Sequence, residues 1–235
     1  MSDESAIQVN FGKPMPLFPL DSAVLLPQQV LPLHIFEPRY RQMVEHALDG
    51  AGQIAMAVFR GKAWKSNYHG RPPLRPAVCV GQIVQHERLP DGRYNLILQG
   101  VCRARIAEEL PPDQHRLYRA ARLEPVGVEP QDENKLFGVR ERLAELLGEG
   151  PLTRLTNADW VMDRIRDEDI PTAVVLELVS FALPTNREAK YKLLAESDAA
   201  ARAVIVEHEL LGLRELLHRA AAQHPERWPK GVSWN

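Results

Sequence analysis

Cysteine is scarce in this 235-residue chain, where only Cys79 and Cys102 occur. Both sit in apolar, strand-like surroundings, so two reduced thiols in a reducing compartment are expected in place of a disulfide framework. No apolar run is long enough to cross a bilayer. Residues 1–10 carry Asp3 and Glu4 and lack a basic start followed by an apolar stretch, so no signal peptide is expected. The cytoplasm is therefore the expected location, with no membrane partner. A charge excess is missing as well: 29 basic side chains face 31 acidic ones, for a net charge of -2. A nucleic acid would have to use a local patch. Internal repeats and low-complexity tracts are absent. With 45% hydrophobic and 26% charged residues the composition is that of a soluble globular protein. Wholesale disorder is excluded, and the length accommodates one large domain or two modest ones.

Two regimes of periodicity meet near 126–131, strand-like before and helix-like after, which predicts an α+β fold. In the first half, 15–20 and 30–36 are short apolar segments punctuated by Pro16, Pro19, Pro27 and Pro32. Proline lacks a ladder donor, so both are expected as edge or bulged strands. Pro38 stands at a first helical position, with Tyr40, Met43, Val44, Ala47 and Leu48 at helical spacing before Gly50. Strands are predicted over 53–59 and 77–87, with Gly81 marking a bulge or a close backbone approach. Asp91-Gly92, within Leu89 to Arg93, supplies the positive backbone angle of a tight hairpin. Tyr94, Leu96 and Leu98 alternate with Asn95, Ile97 and Gln99, Gly100 separates that strand from 101–107, and 117–126 closes the series. Six or so short strands around one small helix predict a strongly bent sheet or partly closed barrel.

Helices are predicted over 135–147, 158–166, 171–183, 187–196 and 199–222. Leu183-Pro184 breaks the third of these. Thr185 with Glu188 has the form of a capping box before the fourth, and Asp198 is placed to cap the last. The short connections imply antiparallel neighbours in a bundle. The segment 224–235, with Trp228 and Trp234, reads as an irregular tail.

The order and spacing of three motifs closely resemble the N-terminal substrate-recognition domain of Lon proteases. The first joins Leu17-Phe18-Pro19-Leu20 and Leu25-Leu26-Pro27 to Leu33-His34-Ile35-Phe36-Glu37-Pro38-Arg39-Tyr40-Arg41. The second runs from Gly81-Gln82-Ile83 through Asp91-Gly92-Arg93-Tyr94 to Gly100-Val101-Cys102-Arg103, and the third is Leu183-Pro184 with Lys190, Leu193-Leu194 and Arg202. The resemblance spans about 16–217. It implies a β pseudobarrel related to PUA-like barrels over 11–126, a helical bundle over 131–223 and a tail over 224–235. It also implies a stand-alone relative, because the ATPase and peptidase modules of the protease would need chain beyond residue 235. No Gly-x-x-x-x-Gly-Lys-Ser/Thr loop is present to cradle nucleotide phosphates.

Catalysis is disfavoured on the residues themselves. His34 to Tyr40 gathers imidazole, carboxylate, guanidinium and phenol but no nucleophile. An architectural role is preferred, with Glu37 complementing a helix N-terminus while Phe36 and Tyr40 pack beneath. Histidines and cysteines lack metal-ligand spacing, and Glu215 with His218 is a single Glu-x-x-His step, so neither metal nor cofactor is expected. Ser180 lies inside an apolar helix, and Ser22 and Ser66 lack elbow glycines.

The sharpest functional signal is local. Residues 50–86 contain no acidic side chain, yet carry Arg60, Lys62, Lys65, Arg71 and Arg75 with Phe59, Trp64 and Tyr68 among them. Segment 60–76 is long for a connection and is read either as a binding loop or as a solvated one. A peptide-binding face is expected from Leu33, Phe59, Arg60, Trp64, Lys65 and Tyr68, gripping unfolded or exposed protein segments. A separate protease or ATPase is a further expected partner, and the chain is expected as a monomer or weak homodimer. Pro19, His34, Phe36, Glu37, Pro38, Arg39, Tyr40, Gly81, Asp91, Gly92, Arg93, Gly100 and Arg103 are expected to act structurally. The alternative is RNA binding through the same basic, aromatic loop.

Overall fold

A computed structural model describes residues 7–21, 23–68, 70–127, 132–182 and 186–222. The expectations for residues 1–6, Ser22, the 128–131 junction, Leu183-Pro184, Thr185 and the 224–235 tail fall outside these residues. The fold is α+β, and the chain divides into two compact units. The first contains residues up to 127 together with 186–198, and the second contains 132–182 together with 199–222.

The first unit holds six strands: β1 (Met15–Leu20), β2 (Val30–Ile35), β3 (Gln53–Val58), β4 (Ala77–Arg88), β5 (Tyr94–Glu109) and β6 (Arg119–Pro125). Helix α1 (Pro38–Leu48) lies between β2 and β3 in the chain. Neighbours run β2-β5-β4-β3-β1-β6, and β6 pairs again with β5. Five strands thus close into a ring, leaving β2 as a flap on β5. Closure removes the exposed edges that an open sheet of this size would present. The interior is filled by Leu17, Ala55, Ala57, Val78, Val80, Ala104, Ala121 and Leu123. Small alanines at four of these positions let the ring close tightly.

Two proline expectations separate here. β2 is an edge strand, as expected. β1 is not, because it lies between β3 and β6. Its register explains the tolerance: β6 faces Met15 to Leu17 and β3 faces Leu17 to Leu20. Pro16 and Pro19 each have a single neighbouring strand, where a missing ladder donor costs least.

The hairpin at 89–93 forms as predicted, with Gly92 at φ 82° and its N–H donating to the Leu89 carbonyl at 2.9 Å. The bulge at Gly81 is also present. A side chain there would meet Leu98 at 2.7 Å. Gly100, by contrast, does not divide a strand, since β5 runs unbroken through it. It is glycine because the chain at Leu26 crosses over it: the Gly100 N–H donates to Gln29 O and its carbonyl accepts from Gln28 N, both at 2.8 Å.

Helix α5 (Arg187–Ala195) belongs to the first unit and packs on β4. Its N-cap is Asn186, whose side chain accepts from Ala189 N at 2.8 Å, one residue later than the predicted capping box. Glu188 is instead drawn to Arg75 in a two-pronged ion pair at 2.7 and 2.9 Å, which lowers its pKa below the ordinary glutamate value. Arg75 also lies 3.3 Å over the Tyr191 ring, and the Tyr191 hydroxyl accepts from Ala77 N at 2.9 Å.

The second unit is built from α2 (Val139–Gly148), α3 (Ala158–Arg166), α4 (Thr172–Ala182) and α6 (Ala199–Ala222). α2 starts later than predicted because Gly138 turns the chain at φ 72° after a 3-10 segment. The apolar faces carry Leu143 and Leu147 from α2, Val161 and Ile165 from α3, Val175 and Val179 from α4, and Val206 and Leu210 from α6, all buried. Among the described residues no helix is long and apolar enough to cross a membrane.

Candidate functional site

Beyond β3 the chain passes through Phe59, which bridges to Leu74, and Arg60 N donates to Pro73 O at 2.8 Å. The segment between them is therefore closed at its base. A 3-10 turn at Ala63–Lys65 places Trp64 flat against Phe59, with ring centroids 5.3 Å apart and planes 11° from parallel. Tyr68 meets both rings edge-on, at 6.3 and 6.1 Å. Phe59 is only 4% exposed, whereas Trp64 and Tyr68 are half-buried over the core of the ring. The stacked and edge-on geometries suit the ring quadrupoles and hold the three together.

The segment is also tied to α1. The Tyr68 phenol donates to the Glu37 carboxylate at 2.5 Å, and Arg39 lies between the Tyr40 and Tyr68 rings, 4.6 Å from each. Arg39 pairs with Glu37 at 3.0 Å and donates to the Tyr68 carbonyl at 3.3 Å. Burial and the Glu37 carboxylate both push the Tyr68 phenol upward in pKa, so it stays protonated and donates. This corrects two expectations for the 34–40 block. Glu37 is the N-cap residue but its side chain makes no cap bond, because Tyr68 and Arg39 claim it. Tyr40 is buried beneath α1, yet Phe36 is 61% exposed and stacks beside His34 at 6.2 Å.

Of the six residues expected to contact a peptide, five come together. Phe59 supports from below, Trp64 and Tyr68 form the surface, and Arg60 and Lys65 stand exposed around it, the Lys65 ammonium 5.9 Å from the Trp64 ring. Leu33 does not join them, because two strands separate β2 from β3. It lines a different groove of about 410 Å³ with Pro32, His34, His86, Leu96 and Ile97. His34 there contacts Asn95 at 2.7 Å.

Reactive groups are subdued. Cys79 and Cys102 form no disulfide, the Cys79 thiol faces the Val80 carbonyl at 3.6 Å, and burial pushes the Cys102 thiol up to about 11. Ser180 is buried and donates to the Leu176 carbonyl at 2.7 Å. Among the described residues no group of three or more His, Cys, Asp or Glu side chains is placed to hold a metal ion.

A family model described as the ATP-dependent protease La (LON) substrate-binding domain matches residues 14–211. The chain belongs to the Lon substrate-binding domain family. Similar relatives include the Lon protease of Trichlorobacter lovleyi, 26% identical over 225 residues covering 89% of this chain, and that of Escherichia coli, 24% identical over 80% of it. The chain spans about a quarter of the length of these relatives, 26% and 23% respectively. In fold it is similar to the N-terminal domain of the Mycobacterium avium complex Lon protease, with TM-score 0.65, 16% identity and coverage of 84% of this chain and 98% of that one. A Lon N-terminal domain protein from Xanthomonas campestris gives TM-score 0.57 at 24% identity over 81% and 94%.

The Lon family motifs meet in the fold. Leu26 crosses Gly100, Gly100 faces Gly81 across β4 and β5, and Asp91 fixes the hairpin by accepting from Arg93 N at 3.1 Å and Arg93 Nε at 2.6 Å. Arg103, nearly buried, donates from Nε to the Leu193 carbonyl at 3.2 Å, in the last turn of α5. A cation there complements the negative end of the helix dipole. That link between the second and third motifs has no signature in local periodicity.

Proposed function

We propose that this chain is a recognition module that grips unfolded or exposed segments of other polypeptides and contributes no bond-breaking chemistry of its own. The observation that carries this reading is the match to a substrate-binding domain over 14–211. The Trp64 and Tyr68 surface supports it, since apolar rings flanked by Arg60 and Lys65 suit apolar segments with acidic neighbours. Leu33 offers a second apolar contact in its own groove. The protein works in the cytoplasm, in proteolysis or quality control beside a separate protease or ATPase. The closed ring is read as a PUA-like pseudobarrel and the second unit as a helical bundle.

Truncating Trp64 is a poor test, because it uncovers Phe59 and couples binding to stability. The charged rim separates the two. In the Arg60→Glu/Lys65→Glu variant, capture of reduced, carboxymethylated lactalbumin should weaken by about three- to tenfold. Stability should hold within about 0.5 kcal/mol, since both side chains are exposed. Unchanged affinity would place the binding surface elsewhere. A salt titration against single-stranded RNA tests the alternative: tighter binding to RNA than to lactalbumin, falling steeply with salt, would replace the present reading.

A further inference from the structure

A pocket of about 280 Å³ opens in the first unit where the start of α1 meets the 70–72 segment and the chain leading into β6. Arg39, Arg71, Arg116 and Arg119 line it, together with Tyr40 and Tyr118. Among the described residues two carboxylates answer these four cations. Glu37 pairs with Arg39 at 3.0 Å, and Glu109 takes both Arg71 at 2.9 Å and Arg119 at 2.5 Å. No carboxylate among them pairs with Arg116, which donates through Nη2 to the Pro111 carbonyl at 2.9 Å.

Three donors in these walls are buried without a hydrogen bond of good geometry: the Tyr40 hydroxyl, Arg116 Nε and Arg39 Nη2, the last of which has its ion pair with Glu37. Tyr40 is 4% exposed. Tyr68 gives its own proton to Glu37 and can still accept from Tyr40 through a lone pair, off the geometry of a full hydrogen bond. Burial pushes the Tyr40 phenol far above its ordinary pKa, so it remains a donor. A buried donor with no partner is costly, and native proteins rarely keep one unless water, an ion or a ligand meets it. Here such donors share one pocket with an excess of guanidinium charge.

We propose that this pocket seats an oxyanion, the carboxylate of a bound polypeptide, whose oxygens accept from the Tyr40 hydroxyl and Arg116. This rests on the polypeptide-binding reading and names the acidic part of its ligand. A planar carboxylate matches the fork of a guanidinium. Gly70 and Arg71 continue the segment that bears Trp64 and Tyr68, and Arg39 stacks on Tyr68. A chain laid over the aromatic surface therefore has the pocket beside it. Free phosphate shares the chemistry and is the competing source.

The test uses the full chain and two labelled dodecapeptides of identical apolar sequence. One ends in Glu-Glu with a free carboxylate and the other in Gln-Gln amide. Anisotropy should show the acidic peptide bound about tenfold more tightly, as expected for charge-assisted hydrogen bonds. Tyr40→Phe should reduce that preference about three- to fivefold with little change in melting temperature, because the hydroxyl it removes has only an off-geometry contact with Tyr68 in the free protein. Arg116→Gln should reduce it further and leave the amide peptide unaffected, which provides a second variant should Tyr40→Phe fail to fold. Equal affinity for the two peptides overturns the pocket assignment while leaving polypeptide binding intact. Failure of both peptides to bind, with inorganic phosphate saturating a site that Arg116→Gln removes, overturns the polypeptide source and the broader reading together. Binding of neither peptides nor phosphate overturns both.

Discussion

Arg202→Met is expected to destabilise the helical unit by about 3–5 kcal/mol, the range for breaking a buried ion pair from one side. Arg202 on α6 and Glu177 on α4 are 4% and 8% exposed, and Nη2 lies 3.1 Å from Oε1. Methionine fills much of the arginine's volume but removes the guanidinium that faces Glu177 in a poorly solvated site. The loss is therefore electrostatic, and removing the second charge should reverse it. Arg202→Met/Glu177→Leu should recover most of the stability, because apolar replacement of both partners is often neutral or favourable. Equilibrium urea unfolding followed by far-ultraviolet circular dichroism checks both. A single variant within about 1 kcal/mol of wild type would show that other contacts of these residues carry the stability.

Gly100→Ala is the second substitution with a large expected effect, a loss of about 3 kcal/mol, at the upper end for forced overpacking. A methyl group there would fall 2.9 Å from the Leu26 carbonyl carbon and closer still to its oxygen. Neither β5 nor the 26–29 turn can yield without breaking the two backbone bonds that join them. Gly212→Ala in α6 is the control of opposite sign. Nothing lies within 4 Å of the added carbon, so removing a helical glycine should stabilise by about 0.5–1 kcal/mol. Urea midpoints of the two variants should move in opposite directions. A midpoint for Gly100→Ala at or above wild type would mean that the crossing at Leu26 is not a tight one.

Gly100 also shows where sequence reading stops. A glycine in a strand pattern signals either an interruption or a close approach, and only the distant 26–29 turn decides between them. Local signals were legible where the physics is local. Asp91-Gly92 specified the hairpin, Pro38 the start of α1, and helical spacing the bounds of α3 and α6. Non-local pairing was not legible. β1 is flanked on both sides although it carries two prolines, and α5 looks like its helical neighbours yet packs on the strands, its Tyr191 meeting Ala77 of β4 and its Leu193 carbonyl meeting Arg103 of β5. The acid-free run at 50–86 pointed to the candidate surface, but composition cannot say which way an aromatic ring faces. Phe59 and Phe36 exchanged the roles that composition suggested, one in the core and one in solvent. The arginine pocket draws on residues from Pro19 to Arg119, far apart in the chain, and only the closed ring assembles it.

Hydrogen exchange on the full chain with and without saturating reduced, carboxymethylated lactalbumin tests the central claim most directly. Gripping an extended chain at the Trp64 and Tyr68 surface should slow exchange over 60–72 and in the first turn of α1, with α2, α3 and α6 unchanged. Slowed exchange confined to those three helices, or no change at saturation, would contradict the account.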